Sequence, residues 1–152
     1  MFNFFKSNKP DSNSQNIFNI SNEQIAVFDY NRNLSEKGKY EVLLFCAYCI
    51  LNTKDLSQEI KSKYLRYLVD IRVNYGITNS SGSIVDLINS RMPFYASEFE
   101  KIFKTNNYLN GRIFNIFYEN PLLAIPIQSS NLPEIIKFMP RFNLVFQKLT
   151  QT

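Results

Sequence analysis

From Val42 to Leu51 the chain reads Val-Leu-Leu-Phe-Cys-Ala-Tyr-Cys-Ile-Leu, ten residues with no charged or amide side chain. The run lies in a candidate helix over residues 36–53, with charges (Glu36, Lys37, Lys39, Glu41, Lys54) only at its ends. A helix that is apolar at every angle has to be surrounded, because any exposed side would put a greasy stripe in water. The run is about half of what spans a bilayer, so its surroundings must be other helices. The sequence therefore predicts an all-α, single-domain bundle of five to six helices around this central one.

Helical periodicity supplies the packing partners. Over 56–75, Glu59, Lys63, Arg66 and Asp70 share one face at 100° per residue, and Ile60, Tyr64, Tyr67, Leu68, Ile71 and Tyr75 share the other. The short Asn52–Asp55 link implies an antiparallel hairpin with the central helix. Pro93 and Pro140 fall inside the segments 84–104 and 132–149, yet the apolar stripe keeps phase across both. Ile84, Ile88, Met92, Tyr95, Phe99, Ile102 and Phe103 form one stripe. Ile135, Phe138, Met139, Phe142, Val145, Phe146 and Leu149 form the other. Both prolines then face solvent, where water takes up the freed carbonyls, and the segments read as two kinked helices.

A short amphipathic helix over 108–119 turns Leu109, Ile113, Ile116 and Phe117 inward and Arg112, Asn115 and Glu119 outward. The proline-flanked run Pro121–Ile127 reads as an extended segment over the bundle. Residues 22–31 fit either a weakly amphipathic helix or a strand. Residues 1–16 read as a flexible lead-in, polar and rich in breakers over 7–16, which leaves a helical domain over 17–152. Ser21 with Gln24, Asp55 with Gln58 and Asn131 with Glu134 fit capping boxes, Ser35 and Ser83 fit N-caps, and Gly76 fits a C-cap.

Catalytic equipment is scarce. The 152 residues include no histidine and no tryptophan, against 14 Phe and 9 Tyr. Histidine is the usual general base and metal ligand near neutral pH. Cys46-Ala47-Tyr48-Cys49 has CxxC spacing but lies in the most apolar stretch, where burial raises thiol pKa and leaves the pair inert. Zinc would need further Cys or His ligands, which the chain lacks. The carboxylates fall mostly on solvated helix faces. The reading is a non-enzyme with no cofactor and no metal.

The charge argues against nucleic acid. Residues 1–90 hold ten basic and nine acidic side chains, residues 91–152 seven and four, without a cluster. Lys63 and Arg66 sit beside Glu59 and Asp70, which cancel their field. The N-terminal Met1–Lys6 lacks the apolar stretch of a signal peptide, so the expected location is the cytoplasm. Phe2, Phe4 and Phe5 beside Lys6 and Lys9 are candidate contacts with a membrane surface or a partner.

Two sets of candidate binding residues remain. Arg72 lies within the apolar arc of its helix, so it must cap carbonyls, pair, or meet a ligand. Arg91 and Glu98, at one edge of the fourth stripe, are its candidate neighbours in a buried polar cluster. Ile136 and Leu144 lie off the last stripe, and Leu122, Leu123, Ile125 and Ile127 follow on the extended segment. If the bundle does not cover these, they form an exposed apolar patch that marks an interface. The first expectation is a protein–protein interaction domain that self-associates as a homodimer through its C-terminal third. The second is a binding domain for an apolar or amphipathic small molecule with Arg72 as charged anchor.

Overall fold

A computed structural model describes residues 12–30, 33–104 and 109–151. Within them the chain forms six α-helices and no strand: α1 (Ser12–Phe28), α2 (Glu36–Thr53), α3 (Gln58–Ile71), α4 (Ser81–Lys104), α5 (Gly111–Phe114) and α6 (Leu132–Thr150). A 3₁₀ turn (Arg72–Tyr75) extends α3, and a π-helical turn (Asn115–Glu119) extends α5. The expected lead-in lies outside the described residues over 1–11, including Phe2, Phe4 and Phe5, but is helical from Ser12 onward. The ambiguity over 22–31 resolves as helix through Phe28.

The apolar run of α2 is the axis of the bundle. Tyr40 to Ala47 and Cys49 to Leu51 are buried, and Tyr48 alone reaches partly to the surface. Helices α1, α4 and α6 and the π turn pack around it. Phe45 sits at the centre, its ring centroid 5.0 Å from Phe142, 5.6 Å from Tyr95 and 5.9 Å from both Phe99 and Phe117. The abundant aromatics are thus largely one interlocked cluster of offset and edge-on rings. Tyr40 near the start of α2 donates 2.8 Å to the Leu68 carbonyl near the end of α3, so the pair runs antiparallel, as the short link requires.

Both prolines sit inside unbroken helices with exposed rings. The carbonyls they release belong to Asn89 and Ile136, and both residues are exposed, so water serves as acceptor partner. Capping follows the sequence in part. The Ser35 hydroxyl accepts from Gly38 N at 3.0 Å, and Gly76 closes the 3₁₀ turn at φ 70°. Ser21 instead lies inside α1, its hydroxyl donating back to the Ile17 carbonyl. Ser57, not Asp55, caps α3, and Ser80, not Ser83, accepts at the start of α4. Asn131 is the N-cap of α6 without a side-chain hydrogen bond.

The phase expected after residue 108 fails. Leu109 is 37% exposed and Asn115 is buried, the reverse of the amphipathic assignment. The cause is the π turn: Asn120 N donates to the Asn115 carbonyl five residues back, and this wider turn rotates the face that follows. The turn is pressed onto α2, where a Cβ on Gly38 would lie 2.4 Å from the Phe117 carbonyl oxygen. Gly38→Ala should therefore cost about 1–3 kcal/mol of overpacking, only partly offset by a helix-propensity gain of about 1 kcal/mol. A lowered thermal midpoint with unchanged helical circular dichroism is the expected result.

Candidate functional site

Arg91 and Glu98 are both buried, but the structure does not join them to Arg72 or to each other. The Arg72 guanidinium donates to the Val69 carbonyl at 2.8 Å and the Asn79 carbonyl at 2.9 Å, tying the end of α3 to the following loop. Glu98 is held by Arg112 Nη1 at 3.5 Å and Lys101 Nζ at 3.7 Å, both from half-exposed side chains. Arg91 reaches inward instead, to Glu41 on α2. Its Nε lies 3.1 Å from Oε2 and its Nη2 2.6 Å from Oε1, with neither side chain exposed.

Glu41 was expected among the solvated charges at the end of α2, and the structure corrects this. It stands between buried Tyr40 and Val42, on a helix whose every face is covered. Burial opposes the charge on Arg91, but the field and hydrogen bond of Glu41 outweigh it and leave the guanidinium pKa raised. The same carboxylate and guanidinium also hold backbone. Glu41 Oε1 accepts from Leu122 N at 3.0 Å, and Arg91 Nη2 donates to the Leu123 carbonyl at 2.8 Å. Arg91 Nη1 and the Tyr95 hydroxyl, one helical turn away, are buried without a hydrogen-bond partner. Burial drives the Tyr95 pKa well upward, with the Glu41 charge adding to it.

The cysteines are free and buried, and burial raises both thiol pKa values. Among the described residues no group of His, Cys, Asp or Glu could hold a metal ion, and no helix is long and apolar enough to cross a membrane. A cleft of ≈ 250 Å³ lies between α3 and α4, lined by Leu65, Val69, Val85 and Ile88 with Arg66 at its side; Arg72 is not part of its lining.

The candidate interface residues stay at the surface. Ile136 is 54% and Leu144 61% exposed, and the 121–127 segment does not fold down over them. Leu122 rests partly buried against the core, while Leu123, Ile125 and Ile127 are exposed. Seven of the eleven exposed large hydrophobics among the described residues fall between Leu109 and Leu144. The chain is therefore an all-helical bundle whose buried face carries one ion pair and whose outer apolar surface gathers at the C-terminal end. Compared with family models, curated proteins and solved structures, it matches none.

Proposed function

We propose that this chain is a non-enzymatic helical interaction domain that associates with a second copy of itself through the outer face of α6. The supporting observation is how that helix is divided. Its charged residues Glu134, Lys137, Arg141 and Lys148 fall within a narrow arc at 100° per residue. One apolar arc, from Phe138 through Phe142 to Met139, is buried in the bundle. A second arc, Leu132, Ile136, Pro140 and Leu144, is exposed and carries no charge. Such a contiguous exposed stripe is characteristic of an interface.

The stripe repeats every four residues and reads the same in either direction. Two copies of α6 running in opposite senses can interdigitate these four-spaced ridges, the commonest mode of helix packing, and a two-fold axis closes the assembly. Sedimentation velocity on the wild-type chain should show a dimer that Ile136→Glu and Leu144→Glu each convert to monomer. Because both side chains are already exposed, helical circular dichroism and thermal midpoint should hardly change. A wild type that stays monomeric up to its solubility limit overturns the proposal.

A further inference from the structure

The segment between α5 and α6 is fixed at two places. At its far end Ser129 N donates to the Gly111 carbonyl at 3.3 Å, in a contact so close that a Cβ on Gly111 would collide with Gln128. At its near end, consecutive residues Leu122 and Leu123 place one N–H and one carbonyl on the Glu41–Arg91 pair. Leu122 stands at φ 67°, the single non-glycine residue at positive φ among the described residues. That conformation crowds a branched L-residue and persists only where surroundings enforce it. Between the two anchors project Leu123, Ile125 and Ile127, 37%, 80% and 52% exposed.

A buried ion pair is a poor source of stability, since desolvation offsets its attraction and apolar residues of equal volume often serve as well. What apolar residues cannot do is accept from the inward-facing Leu122 N–H and donate to the Leu123 carbonyl, which would otherwise be left unpaired. We infer that the Glu41–Arg91 pair is a latch that holds the 121–127 loop in one conformation and so presents Leu123, Ile125 and Ile127 as a fixed part of the surface that meets the second copy. The identity of that partner rests on the self-association proposed above; the latch does not.

Residue-resolved hydrogen exchange by NMR separates the two. In the wild type the Leu122 amide should exchange as slowly as the core amides of α2, such as Phe45, while the Ile125 and Ile127 amides exchange fast. In Glu41→Leu/Arg91→Met, which replaces the pair by apolar groups, Leu122 exchange should rise about 100-fold as the loop opens locally. The α2 amides should keep their rates, and the dimer should weaken about tenfold through lost pre-organisation. Leu122 exchanging fast in the wild type, or as slowly in the double variant as in the wild type, overturns the latch. If the double variant does not fold, the wild-type rate decides; if the wild type is monomeric, the self-association reading falls and the exchange pattern still decides the latch.

Discussion

Glu41→Ala should destabilise the fold by about 3–5 kcal/mol, the usual cost of stranding one partner of a buried ion pair. The variant leaves the Arg91 guanidinium at zero exposure with only the Leu123 carbonyl as acceptor, and it removes the acceptor of Leu122 N. Arg91→Ala should cost a similar amount, because the Glu41 carboxylate then keeps a single backbone N–H. The double change Glu41→Leu/Arg91→Met should recover most of either loss. Urea denaturation of the four proteins forms a double-mutant cycle, and the coupling should come to several kcal/mol. Single variants within about 1 kcal/mol of wild type would show that the pair is not closed in the folded protein.

That pair also marks where the sequence stops being legible. The enclosure of α2 followed from the absence of any polar angle between Val42 and Leu51, a property of ten adjacent residues. The stripes of α3, α4 and α6 followed from local periodicity for the same reason, and continuity through Pro93 and Pro140 was readable because phase survived each ring. Glu41 and Arg91 are fifty residues apart, and no local pattern joins them. A signal did exist: Glu41 lies between Tyr40 and Val42 on a helix already argued to be covered all round, so it needed a buried cation. Treating it as one of the charges at a helix end hid this.

Other departures have equally particular causes. The inversion of Leu109 and Asn115 comes from the π turn, whose extra residue per turn cannot be inferred from an assumed period of 3.6. Phe103 keeps the phase of its stripe yet is 64% exposed, because it lies in the last turn of α4 and covers only the edge of Phe146, 5.3 Å away. Arg72 was placed correctly within its arc, but position alone could not separate a ligand anchor from a side chain bonded to carbonyls. For the interface set, the sequence left open whether 121–127 would cover Ile136 and Leu144; the two anchors at Leu122 and Ser129 hold it away from them.

Alkali should unfold this protein well before a typical bundle of its size. Burial raises the thiol pKa of Cys46 and Cys49 and the phenol pKa of Tyr40, Tyr64 and Tyr95, in each case as the largest cause. A raised folded-state pKa means that the native state keeps a proton which the unfolded state releases. Stability from these groups is therefore complete below the unfolded pKa, about 8.5 for cysteine and about 10 for tyrosine, and is lost as pH rises above it. Each group removes about 1.4 kcal/mol per pH unit, so the two thiols alone remove about 5 kcal/mol between about pH 8.5 and 10.5, a large share of a typical domain's stability. With no histidine in the chain, the profile should be level between about pH 6 and 8. Urea midpoints measured under reducing conditions across this range should show the plateau and then the fall. Cys46→Ala/Cys49→Ala should start from a lower plateau, because it opens cavities beside Phe45 and Tyr48, but should hold level until tyrosine ionisation begins. A wild-type midpoint unchanged up to about pH 10 would mean that the thiols ionise in place, and the enclosure of α2 would have to be abandoned.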